Sequence, residues 1–82
     1  METTKAENEL VQFLIGQPST EQIIAFHPSA EVTERFYALV EAERAQAINA
    51  AELRELETFM YIEHMMRLMK AAAHKALQQK AS

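Results

Sequence analysis

His27, His64 and His74 are the side chains in this sequence best suited to holding a transition metal or moving a proton near neutral pH. On a helix, such work needs two ligands on one face, at i, i+3 or i, i+4. No two histidines stand at that spacing, and neither Glu-x-x-His nor His-Glu-x-x-His occurs. Glu63 and His64 are chain neighbours, which a helix turns to different faces. No metal site is expected. His27 precedes Pro28 in a break between helices, where it can donate to a carbonyl at the end of the preceding helix. Nucleophilic catalysis has no better basis. There is no cysteine, Ser19 and Ser29 read as helix caps, Ser82 ends the chain, and none has a base placed beside it. A single glycine, Gly16, cannot build a phosphate-binding loop. The glutamates permit an acidic pair in principle, but on helices they read as solvated faces. The chain is expected to be no enzyme and to need no cofactor.

The chemistry the sequence does offer is apolar recognition. The stretch FMYIEHMMRLMK, residues 59 to 70, holds four of the five methionines. On a helix, Phe59, Ile62, Met66, Met69, Ala73 and Ala76 fall at alternating spacings of three and four, a heptad seam. Tyr61, Met65, Leu68 and Ala72 form a second row beside it, and Leu53, Leu56 and Met60 a third. Glu63, Arg67, Lys70 and His74 make a narrow polar strip. Two readings follow. All three rows are core, or one row packs inward while the seam binds another chain. Methionine, flexible and polarizable, suits an adaptable interface. The favoured interaction set is Phe59, Ile62, Met65, Met66, Met69, Ala73 and Ala76, with Glu63, His64, Arg67 and Lys70 as its polar rim. A self-complementary seam would give a two-fold homodimer, burying about 700–900 Å² per partner.

Stepping along the chain, the elements that carry these residues are all helical. Ala, Glu, Leu, Gln and Met are abundant, glycine and proline are scarce, and no window alternates apolar and polar residues. One domain, residues 1–82, is expected to hold helices at about 4–15, 20–26, 30–46 and 50–78. Thr3 or Thr4 caps the first, with Leu10, Val11, Phe13, Leu14 and Ile15 as its apolar positions. Gly16 stands where a left-handed residue is wanted, and Pro18 pushes Gln17 out of the α region. Ser19 and Gln22 form a capping box for a short helix anchored by Ile23, Ile24 and Phe26, which Pro28 stops. Ser29 caps the third helix, whose inner face is Val32, Phe36, Leu39, Val40 and Tyr37. Asn49 with Glu52 makes the next box, and Ile48 with Leu53 a hydrophobic staple. No break follows until a tail expected to fray, as Met1–Thr3 is, from Gln78. A helix of this length spans about 45 Å, against roughly 30 Å for a compact globule of this size. Its distal half is expected to protrude or to lie against another chain.

Charge is divided along the chain. All twelve acidic residues precede His64, against Lys5, Arg35, Arg44 and Arg54; after it come only Arg67, Lys70, Lys75 and Lys80. Cations at a helix C-terminus complement its dipole by about 0.3–1 kcal/mol each. That reading is favoured; the alternative is a basic arm that meets an acidic partner or nucleic acid. Residues Ser19 to Gln46 have the outline of a helix-turn-helix, but Glu31, Glu34, Glu41 and Glu43 on the would-be recognition helix repel phosphate. Only the C-terminal basic arm supports DNA contact. No stretch reaches the roughly 18 apolar residues of a membrane span, and Met1–Leu10 lacks the apolar core of a signal peptide, so a cytoplasmic location is expected.

The runs PSTEQIIAFHPSAEVTERFYALVE and ELRELETFMYIEHMMRLMKAAAHKAL cover nearly all of the chain after residue 10. Their pattern resembles a family of small all-helical proteins found widely in cyanobacteria. Pro18, Ser19, Glu21, Ile23, Ile24, Phe26, Pro28, Ser29, Glu34, Arg35, Glu63, His64 and Arg67 carry the resemblance. The chain departs from it at His27, where the family pattern has Arg, and at Asn49–Glu52, where it has Thr-Pro with more acids. The family carries no established activity. Its members look like partner or antitoxin-like proteins, sometimes encoded beside nuclease- or toxin-like genes, and the resemblance implies an interaction role. It also implies that Glu63, His64 and Arg67 form a polar network at a contact surface. The expected function is a protein–protein interaction module, a homodimer through the last helix, with an antitoxin-like or regulatory role. The alternatives are a DNA-associated regulator using the basic arm and a structural subunit of a larger complex.

Overall fold

A computed structural model describes residues 4–81. They form four helices, α1 (Lys5–Ile15), α2 (Thr20–Ala25), α3 (Ala30–Arg44) and α4 (Ala50–Ala81), and no strand occurs among the described residues. The helix starts are set by local side chains. Thr4 and Glu7, Ser19 and Gln22, and Asn49 and Glu52 each form a reciprocal capping box, which satisfies backbone N–H groups that have no partner within the helix. Thr4 therefore caps α1; Thr3, the other candidate, lies outside the described residues, as do Met1 and Glu2.

The helix ends differ from expectation: α2 stops at Ala25 and α3 at Arg44, and the closure of α1 is shifted by one residue. Gly16 has φ −69° and ψ 0°, a conformation open to any residue, while Gln17 takes the left-handed φ of 53°. Gln17 N–H donates to the Leu14 carbonyl, but the next residue, Pro18, has no N–H to complete the usual paired closure. At the end of α3 the closure is complete. Gln46, at φ 55°, donates to Glu43, and Ala47 donates to Ala42. Helix α4 runs 32 residues, about 48 Å, and continues through Gln78 to Ala81 rather than fraying there.

All three preceding helices pack against α4. The connection 45–49 folds α3 back along it as a helical hairpin, with the Phe36 and Phe59 rings 5.8 Å apart. Arg35 on α3 grips the Glu55 carboxylate on α4 with two hydrogen bonds of 2.8 Å each. Helix α1 starts beside Ala51, Arg54 and Thr58 of α4. Its Ala6 and Leu10 join a core of Val32, Leu39, Leu56, Phe59 and Ile62, with Phe36, Val40, Ile48 and Met66 packed around it. Leu39 is the centre of that core, at 1% exposure. The apolar positions expected on α1 divide. Leu10 and Phe13 are half-buried, while Val11, Leu14 and Ile15 are exposed. Ile23, Ile24 and Phe26 are half-buried rather than buried, and Tyr37 faces outward. Phe26 closes the α1–α2 corner by stacking on Phe13 at 4.2 Å.

The resulting shape is a rod of 51 × 25 × 20 Å with a radius of gyration of 15.1 Å, against about 12 Å for a compact domain of this length. The long helix is the rod. Its distal half does not protrude bare, because Met69 is half-buried and Ala73 is only 5% exposed. No helix among the described residues is long and apolar enough to cross a membrane.

Candidate functional site

The rows of α4 are divided by what the other helices cover. Phe59 and Ile62 are each 8% exposed, Ala73 is buried, Met66 packs on the core and Met69 is half-buried. The heptad seam expected to meet a partner is thus turned inward, a correction with a simple cause. Three short helices laid lengthwise along a 32-residue one can cover a stripe that a compact three-helix layer could not. Of that expected set, Met65 is half-buried and Ala76 is exposed, both toward the neighbouring row.

That neighbouring row is the one exposed beside α1; of the third row, Leu56 is buried while Leu53 and Met60 are exposed. Tyr61 is 65% and Leu68 53% exposed, Ala72 is exposed, and half-buried Met65 lies between them. At spacings of four, three and four the row forms one continuous band. Helix α1 extends it. Glu7 lines a polar hollow with Arg54 and Thr58 along the α1–α4 border. On α1, Val11 and Leu14 follow Glu7 on the same edge; on α4, Tyr61, Met65, Leu68 and Ala72 follow Arg54 and Thr58. Val11, Leu14 and Ile15, all exposed, therefore lie on the α1 side of the same border as the α4 band.

Two further hollows flank α4. One of about 280 Å³ opens among α1, α3, α4 and the α2–α3 connection, walled by Leu10, Phe26, Phe36, Phe59, Ile62 and Met66. Three of its polar side chains, Glu9, Thr33 and Glu63, already have partners. Glu9 accepts hydrogen bonds from the Ser29 backbone N–H at 3.0 Å and the Ser29 hydroxyl at 2.6 Å. These bonds hold the Glu9 carboxyl below its ordinary 4.5. Thr33 donates to the Ser29 carbonyl, and Glu63 accepts from Arg67 one turn on. The other hollow runs between α3 and α4, bordered by Val40, Met60, Glu63, His64 and Arg67. The expected polar rim thus lies on this side of α4. Glu63 and Arg67 pair, His64 is exposed and joins no hydrogen bond with either, and Lys70 is half-buried. His27 Nδ1 lies 3.2 Å from the carbonyl oxygen of Pro28, the residue after it, rather than from the end of α2.

Glu9 is the residue that sequence reasoning missed. It sits 20 residues from Ser29 and supplies the half of a capping box that Val32, at the third helical position, cannot. Only the apolar Val32 where Gln22 and Glu52 stand in the other boxes hinted that Ser29 needed outside help.

No group of three or more His, Cys, Asp or Glu side chains comes together among the described residues. Compared with known proteins, the chain matches no family model, no curated protein and no solved structure. The site is therefore defined by its own geometry: an apolar band on a straight helix, backed by a packed core and bordered by charge.

Proposed function

We propose that this protein is an interaction module that self-associates through the outer face of α4. One observation carries the reading. The protein leaves Tyr61 and Leu68, and Val11, Leu14 and Ile15 beside them, exposed along one border of the molecule while burying the adjacent seam. Isolated exposed apolar residues are ordinary, but a continuous band of them marks a contact surface. The likeness to small cyanobacterial partner proteins supports the same reading and suggests an antitoxin-like or regulatory role. Lys70, Lys75 and Lys80 form no ion pair among the described residues. This leaves them available to an acidic surface, and it is the feature that a DNA-associated role would use.

Light scattering across a concentration series tests the proposal. A mass approaching twice 9.4 kDa, reduced to a single copy by Leu68→Glu with helicity retained, is the expected result. A single-copy mass at every concentration overturns self-association.

A further inference from the structure

We infer that the partner on this face is a second copy laid antiparallel, aligned by the opposite charges of the two halves of α4; the inference rests on the self-association proposed above. Within α4, the proximal half carries Glu52, Glu55, Glu57 and Glu63 against Arg54, while the distal half carries Arg67, Lys70, Lys75 and Lys80 and no acid. The apolar band from Tyr61 to Ala72 straddles the middle of a helix running from Ala50 to Ala81.

A two-fold axis near Met66 and Arg67 uses both facts. It sets Tyr61 of one copy against Ala72 of the other, and Met65 against Leu68, and the symmetry repeats each contact. The helices then overlap along their whole length. Glu57 and Lys75 lie on one border of the band, and both are exposed. The same axis brings Lys75 of one copy beside Glu57 of the other, at both ends. Parallel pairing would align the same apolar row but bring acidic half against acidic half and basic half against basic half, and would put Glu57 and Lys75 of the two copies on opposite flanks, where they do not meet. Like charges in register are a strong selector of orientation.

The chain has no cysteine, so introduced cysteines report orientation directly. Tyr61→Cys and Ala72→Cys chains are purified separately, checked for unchanged helicity, then oxidised alone and mixed. The expected disulfide forms only in the mixture, joining one chain of each kind. If each variant instead crosslinks to itself, the pairing is parallel and this inference is overturned, while self-association stands. A two-copy mass with no crosslink in any sample places the contact on another face and overturns it as well. A single-copy mass for the unaltered protein removes the underlying reading too. Charge is tested separately. Lys75→Glu should weaken self-association about tenfold, and adding Glu57→Lys should restore it. A double variant no tighter than Lys75→Glu alone would show that the two residues do not meet.

Discussion

At the scale of single residues, the least local contact has the clearest consequences. Glu9 caps α3 from α1, and its carboxyl is held below 4.5 by the Ser29 hydroxyl first and the Ser29 backbone N–H second. Glu55 is held low in the same way by the Arg35 guanidinium. A carboxyl whose pKa is depressed by folding contributes stability above its unfolded value and loses it as pH falls through the folded value. Thermal stability should therefore be flat from neutral pH down to about pH 4.5 for these two groups and fall below it. Glu9→Gln keeps one acceptor and loses the charge. It should lower stability at pH 7 by about 1 kcal/mol, given the partial exposure of the site, and should shallow the acid limb of a melting-temperature profile. A profile identical to that of the unaltered protein would show that the Glu9–Ser29 contact contributes nothing in solution. Gln46 offers the opposite sign. It holds φ 55° with a β-carbon that this region disfavours. Gln46→Gly should stabilise the protein by about 0.5–1 kcal/mol, the relief outweighing the extra freedom glycine gains on unfolding. Chemical denaturation midpoints measure it, and an unchanged or lower midpoint would contradict this account of the α3 terminus.

At the scale of elements, two of the three apolar rows of α4 hold residues that are chemically alike but whose surroundings are opposite. Met66 packs on the core and Leu68 faces outward. Met66→Glu should thus cost about 2–4 kcal/mol, since it forces a carboxylate against apolar neighbours. Leu68→Glu should stay within about 0.5 kcal/mol of the unaltered protein and act on self-association instead. Denaturation of both variants, followed by circular dichroism, checks the pair; equal destabilisation would mean that the two rows are not distinguished as described. This contrast also marks how far the sequence could be read. The starts of α2, α3 and α4 were legible to the residue, because a cap is built from groups three apart, as in Asn49 and Glu52; for α1 two adjacent threonines fitted the pattern, and Thr4 is the cap. The left-handed residue was misplaced by one position because glycine permits that conformation without requiring it, and at Gly16 the chain does not use it. Which row of α4 faced inward was not legible. Both rows satisfy the same heptad spacing, and the choice rests on where α1 and α2 lie, a decision made by contacts distant in sequence. Arg35–Glu55 and Glu9–Ser29 were hidden for the same reason.

At the scale of the whole molecule, the unusual feature is the rod. A chain of this length would bury more surface as a compact globule, yet this one spreads three helices along a fourth to reach 51 Å in one direction and 20 Å in another. Such a shape presents a long, nearly straight face in place of a larger core, and it makes the geometry of association measurable. Two rods meeting end to end would nearly double the longest dimension. Two rods joined by the antiparallel contact overlap fully, so mass doubles while length stays near that of one copy. Small-angle X-ray scattering on the associated species should thus return a maximum dimension close to 51 Å plus a hydration layer of a few ångströms, with the added mass appearing in the cross-section. High salt should shift the population toward single copies, because the exposed Glu57 and Lys75 charges that align the rods are screened over about 10 Å at 0.1 M and about 3 Å at 1 M. A maximum dimension near twice the rod length would place the contact at the helix ends. An association strengthened by salt would show that the apolar band alone, and not the division of charge along α4, brings the copies together.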